Sequence, residues 1–341
     1  MNAPLTIALG PPAHGVTRFA VECAQAAGAA VLDVPDVAGL PAALAALPAQ
    51  GSARAIHLHV TDPLFGATPD EAADTVEAVA RDRPLAVTLH DVPQPAEGEE
   101  RCRFRTRAYQ RIAAAADLVV VSSRHERALC EAAGIVVDAV IPLPVPDLGV
   151  ASRHGAPPEP DARSVGVFGF LHPGKAVDVV AAAVADLAAA GDHEVTLRLL
   201  GAPADGHQDY VRAAVETVRA AGGRAEVTGR VDDDELARVL AEVTVPVALF
   251  RNVSASGSLN TWAAAGRRPL TTDSDYTREM EQRRPGSLLL TGAPGPAGIS
   301  DLAGDLRALL DNPAPTRIDP PGPGATELGR AYRQAWERWI G

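Results

Sequence analysis

Of 31 basic residues only one is a lysine, Lys175, and it lies in the turn Phe168-Gly-Phe-Leu-His-Pro-Gly-Lys175. An ammonium is a compact charge suited to a phosphate. A glycine turn that leaves a strand and opens a helix adds backbone N–H groups and the helix dipole. The spacing is not that of a P-loop, because GxxxxGK[ST] is absent and Ala176 follows the lysine. A second anion site is expected at Arg251-Asn-Val-Ser-Ala-Ser-Gly-Ser258, where Ser256, Gly257 and Ser258 open a helix and Ser256 also suits its cap.

Histidines supply the other chemistry. His90, followed by Asp91, ends an apolar strand. His57 and His59 lie two apart, so a strand places both on one face. His59 is nearer the strand end and leads into Thr61-Asp62, which makes it the better candidate. His14 lies in the turn Gly10-Pro-Pro-Ala-His-Gly15, whose last glycine lets a substrate approach the backbone. A satisfied core histidine is the bland alternative for each, and nothing in the spacing demands a histidine metal site. The run Arg101-Cys-Arg-Phe-Arg-Thr-Arg107 with Arg111 is the one basic cluster. Arg103, Arg107 and Arg111 form a helical stripe that suits an anionic ligand, a solvated face or, least of the three, anionic lipid heads.

These residues hang on a repeated strand–turn–helix pattern. Apolar strands are expected at Leu5 to Leu9, Ala30 to Asp33, Ala55 to Val60, Leu85 to Leu89, Leu118 to Val121 and Ala139 to Ile141. After a Pro/Gly-rich stretch the alternation resumes at Ser164 to Phe168, Val195 to Leu200, Ala225 to Thr228, Val245 to Leu249, Pro269 to Thr272 and Ser287 to Leu290. Continuous apolar strands between helices indicate parallel sheets covered on both faces. The expected organisation is an N-terminal domain over 1–141, a linker over 142–162, a second domain over 163–324 and a last helix over 325–341. That helix aligns Leu328, Tyr332, Ala335, Trp336 and Trp339, and is expected to cross back onto the first domain and form a hinge with the linker. Two such α/β domains would face each other across a cleft lined by strand C-terminal ends.

Composition excludes several classes. The chain has 341 residues, 47% hydrophobic and 22% charged, enough for two buried cores. A net charge of -12 argues against a nucleic-acid partner. Three dispersed cysteines without CxxC disfavour a disulfide framework and a thiolate zinc site. With no apolar run of membrane-spanning length and no basic signal-peptide start, a cytoplasmic location is expected.

The order of the C-terminal motifs resembles that of the family-4 retaining glycosyltransferases of the GT-B fold. The matching pieces are Gly169-Phe-Leu-His-Pro-Gly-Lys175, Gly201 after the next strand, Gly229-Arg-Val-Asp-Asp-Asp-Glu-Leu236 and Gly266-Arg-Arg-Pro-Leu270. The resemblance is best over residues 160–280. In the N-terminal half, Thr88-Leu-His-Asp-Val92 is similar to the segment carrying that family's histidine after the fourth strand. It implies two doubly wound Rossmann-like domains and metal-independent hexosyl transfer from a nucleotide-diphosphate sugar, with UDP or GDP as the nucleotide. That donor is a co-substrate, so no cofactor is expected. Gly15, Gly169, Phe170, Lys175, Gly201, Gly229, Arg230, Val231, Ser256, Gly257, Ser258 and Asn260 would bind it, and His90 and Lys175 would be catalytic. His14, His59, Asp62, Asp91, Arg103 and Arg107 fall on the acceptor side, for a small-molecule or glycan acceptor of anionic character. Two departures stand out. Phe170 replaces the family's arginine, and Val253 and Thr261 stand near the positions of its paired glutamates, with Ser254, Ser256 and Asn260 beside them. A protein that keeps the fold and binds a sugar nucleotide or carbohydrate without transfer is the alternative, and a sugar-nucleotide isomerase a third.

Overall fold

The computed structural model describes residues 3–47, 55–149, 163–292 and 301–341. The chain divides into two compact units, Met1–Pro144 with Gly324–Gly341, and Val145–Pro323. Residues 150–162 of the expected linker lie outside the described residues.

In the first unit the strands are β1 (Leu5–Leu9), β2 (Val31–Val34), β3 (Ile56–Val60), β4 (Leu85–Leu89), β5 (Leu118–Val121) and β6 (Ala139–Val140). All pair in parallel, in the order β2-β1-β3-β4-β5-β6. The intervening helices are α1 (Gly15–Ala27), α2 (Leu40–Ala45), α3 (Asp62–Phe65), α4 (Pro69–Ala80), α5 (Glu99–Ala115) and α6 (Arg124–Ala132). The second unit carries β7 (Ser164–Phe168), β8 (Thr196–Leu200), β9 (Arg224–Val227), β10 (Val245–Ala248), β11 (Leu270–Thr272) and β12 (Leu289–Thr291). They form a parallel sheet in the order β12-β11-β10-β7-β8-β9. Its helices are α7 (Val177–Ala189), α8 (Gln208–Ala220), α9 (Asp233–Ala241), α10 (Gly257–Ala264), α11 (Asp275–Arg283) and α12 (Leu302–Asp311).

The last helix, α13 (Ala325–Ile340), belongs to the first unit and packs along α1. Gly329 permits that approach, since a Cβ there would lie 2.0 Å from the carbonyl oxygen of Ala26. Tyr332 and Trp336 are fully buried beside Phe19, Cys23, Ala86 and Val120. Truncating the tryptophan to alanine would cost about 3–5 kcal/mol. Val76, Ala108, Tyr109 and Ile112 join the core that contains the other side chains of β3 and β4. Covering on both faces explains why the strands read as unbroken apolar runs.

Most strands lie within one or two residues of the sequence expectation. The sequence pattern does not mark α2, α3, α11 or α12 as helices. In α11 the buried set includes Thr277 and Glu279 beside Tyr276 and Met280, so no apolar stripe betrays the helix.

Candidate functional site

Open α/β sheets place ligands at strand C-terminal ends, where the strand order reverses. In the second unit that point lies between β7 and β10. Lys175 follows the first of these strands, and the loop to α10 follows the second. The Lys175 ammonium donates to Ser258 Oγ at 3.2 Å, and Ser256 Oγ lies 3.0 Å from the same hydroxyl. Ser256 is the N-cap of α10 but makes no side-chain cap bond. Its own N–H donates to Tyr276 OH at 2.9 Å, which anchors the loop. The ammonium thus meets one hydroxyl in the first turn of α10, and that hydroxyl is linked to a second at the helix N-cap.

That ammonium is half-buried, and no carboxylate among the described residues pairs with it. Burial alone pulls its pKa down to about 8. Besides the Ser258 hydroxyl, the Phe250 ring compensates it, with its centroid 5.3 Å away. Gly169 adopts φ +107° and lies so near that a Cβ would come within 3.3 Å of Lys175 Nζ. Gly201 in turn packs on Gly169, with 2.0 Å between its virtual Cβ and the Gly169 carbonyl oxygen. Ala176, directly after the lysine, is held at φ +48°. A left-handed alanine costs about 1–2 kcal/mol, which the surrounding packing must offset.

In the first unit the order reverses between β1 and β3. His14 follows β1, Thr61 and Asp62 follow β3, and His90 and Asp91 follow β4. His57, His59 and Thr88 share the sheet face that meets α1 and α13. His59 Nδ1 and His90 Nε2 are 3.1 Å apart, and His57 Nε2 lies 2.9 Å from Thr88 Oγ1, which is 3.2 Å from Tyr332 OH. Phe19 meets the His59 and His90 rings edge-on. Burial holds the imidazoles neutral, at about 3 for His57 and about 4 for His90, and depresses His59 strongly as well. His14 is lowered by burial, against the pull of Asp91. Among the described residues no group of His, Cys, Asp and Glu has a geometry that would hold a metal ion.

Asp91 is the second left-handed residue at a candidate site, at φ +50°. It accepts from Thr61 Oγ1 at 2.8 Å. Arg105, from the buried face of α5, donates to the Asp91 carbonyl at 2.7 Å, and Tyr109 OH donates to the His90 carbonyl at 2.7 Å. Burial opposes the Arg105 charge, but Asp62 and Glu97 bind its guanidinium at 2.6–3.2 Å and hold it protonated above its ordinary range. The corner that presents His90 is thus braced by a buried arginine with two carboxylates.

A scan of protein families finds no match for this chain, and no curated protein matches it. Solved structures do. Anabaena HepE in complex with UDP-glucose superposes with a TM-score of 0.67 at 17% identity, covering 98% of this chain and 95% of the other. HepE with UDP and glucose gives 0.66 with the same identity and coverage. Sucrose-phosphate synthase from Thermosynechococcus elongatus gives 0.66 at 15% identity, over 99% of this chain and 95% of that one. The fold is that of the GT-B glycosyltransferases.

Within each unit the expected residues separate by use. Lys175, Gly169, Gly201, Ser256, Gly257 and Ser258 come together. Phe170 is half exposed and Arg230 exposed, while Val231 leans on the α9–α10 core and Gly229 turns at φ +69°. Asn260 is buried and its oxygen accepts from Arg284 at 2.8 Å, a bond that supports α10. A Cβ at Gly15 would meet nothing, so the α1 N-terminus is open to approach. The carboxylate of Asp62 is taken up by Arg105 and faces inward. Arg111 pairs with Asp74 and Glu77 of α4, whereas Arg103 and Arg107 flank the exposed Phe104 ring. Arg105 and Tyr109 were missed. Their signal was helical spacing, since Arg105, Ala108, Tyr109 and Ile112 share one face and a lone arginine on an apolar stripe asks for buried partners.

Proposed function

We propose that this chain is a retaining, metal-independent glycosyltransferase that moves a hexose from UDP- or GDP-sugar to a small-molecule or glycan acceptor. The observation that carries the reading is Lys175, a half-buried cation tied to Ser258 with no carboxylate beside it among the described residues. An uncompensated buried charge is costly. A diphosphate placed against Lys175, the Ser256 and Ser258 hydroxyls and the α10 N-terminus would supply the missing anion. As the glycosidic bond breaks, negative charge grows on the β-phosphate, and preorganised donors there stabilise the transition state more than the ground state. His90 would contact the transferred sugar, and the strand ends of the first unit with Arg103 and Arg107 would hold the acceptor. HepE, whose structures contain UDP and UDP-glucose, supports the nucleotide assignment by likeness of fold. The cysteines among the described residues are free, two of them buried, in keeping with a reducing cytoplasm.

A second reading, binding without transfer, is favoured by Val253 and Thr261 at the places where the resembled family carries glutamates. Calorimetry with UDP and GDP, followed by NMR of the anomeric proton after incubation with each sugar nucleotide and a panel of acceptors, separates the two. Transfer with retained configuration supports the enzyme; tight nucleotide binding without transfer or donor hydrolysis supports the binding protein.

A further inference from the structure

We propose that His59 is a positioning residue that fixes the tautomer of His90, so that His90 presents Nδ1–H as a hydrogen-bond donor to its ligand. The inference rests on the reading above only in naming that ligand as the transferred sugar. The tautomer itself follows from the buried polar atoms of the first unit.

The single bond between the two rings joins His59 Nδ1 to His90 Nε2 at 3.1 Å, with the planes 21° apart. Both imidazoles are neutral, so one nitrogen of the pair must carry the shared proton. If His90 Nε2–H were the donor, the proton of His59 would have to sit on its Nε2. That atom is fully buried and has no partner among the described residues. It would be an orphaned N–H, the rarer and more costly defect in a protein interior. If instead His59 Nδ1–H donates, its Nε2 is only a bare lone pair among the rings of Phe19, His57 and Tyr332.

The same count holds one step deeper. His57 Nε2 reaches Thr88 Oγ1, and its Nδ1 is likewise buried and unpartnered. His57 is therefore the Nε2–H donor to Thr88, whose hydroxyl meets Tyr332 OH. His57 and His59 thus each direct their only proton at a hydrogen-bond partner. His90 then accepts at Nε2 and must carry its own proton on Nδ1. That nitrogen has no partner among the described residues, is absent from the buried unpartnered atoms, and belongs to a residue that is 7% exposed. It is the ring atom left for a ligand.

The chemical consequence is specific. A neutral Nδ1–H donates to a hydroxyl or ring oxygen and cannot take a proton without first breaking the His59 bond. His90 should therefore prefer a sugar with an oxygen at the contacted position over the corresponding deoxy sugar. Residue His59 acts without touching the substrate.

The test is NMR of the full chain with labelled histidine, reading ring nitrogen shifts and couplings at neutral pH. Nδ1–H tautomers at both His59 and His90 are expected. An Nε2–H tautomer at either overturns the proposal, and this readout needs no variant and no activity. His59→Asn keeps a donor near the Nδ1 position and should retain transfer within a few-fold. His59→Leu should lower kcat about 10–100-fold and mix the His90 tautomers, while affinity for UDP alone stays unchanged. A His59→Leu protein with wild-type kcat and an unaltered His90 tautomer would also refute it. If no sugar is transferred by the wild type but the tautomers are as stated, the functional reading fails and the positioning role stands.

Discussion

Replacing Lys175 with methionine should make the protein more stable and its nucleotide binding weaker. Methionine keeps the length and most of the apolar stem but removes the charge. In the folded chain the ammonium titrates near 8 instead of 10.5. At about 1.4 kcal/mol per unit that displacement bounds the cost of burying the charge at about 3 kcal/mol. Water still reaches part of the side chain and screens it, which lowers the figure. The lost Ser258 bond and Phe250 contact subtract about 1 kcal/mol more. A net gain of about 1 kcal/mol remains, or a rise of roughly 2–4 °C in the melting temperature of the second unit. The pH course has a definite sign. Below about 8 both folded and unfolded chains hold the proton and the cost is complete; between there and 10.5 the unfolded chain binds more protons, so the wild type gains stability as pH rises. The gap between variant and wild type should therefore close over that interval. Calorimetry with UDP or GDP should show affinity about 10–100-fold weaker, the worth of a charged hydrogen bond. A variant that melts no higher than the wild type and binds nucleotide equally well would refute both the buried-charge argument and the diphosphate role.

Nucleotide affinity of the wild type should fall as pH rises through about 8, because the free protein loses the Lys175 proton there; titration calorimetry across pH 6.5–9.5 checks this. Gly201→Ala forces a Cβ onto the Gly169 carbonyl and should destabilise the second unit by more than about 2 kcal/mol while weakening nucleotide binding, seen by thermal melts and calorimetry. Arg105→Met strands the Asp62 and Glu97 carboxylates in the interior and should cost about 3–5 kcal/mol in urea unfolding. Replacing Arg103 and Arg107 together with glutamine should raise the acceptor KM and leave the donor KM nearly unchanged; a silent double variant would mark that face as merely solvated.

Strand positions, parallel pairing and the two-sheet architecture were legible in the residues alone, because fully buried parallel strands must be continuous apolar runs broken by turns and amphipathic helices. The sole lysine and the Ser256–Ser258 loop also stood out in the residues alone, and the fold brings them into contact. Local sequence cannot report what long-range packing brings together. Lys175 and Ser258 are 83 positions apart, and only the strand order that makes β7 and β10 neighbours joins them. Asp62 and Arg111 looked free in sequence, yet the fold pairs them with Arg105 and with the acidic face of α4. Tyr332 stands 244 residues from Thr88 and closes the histidine network only because α13 packs beside α1. Periodicity sets which face a side chain takes; the tertiary structure sets which charges that face meets, and hence which remain available for a ligand.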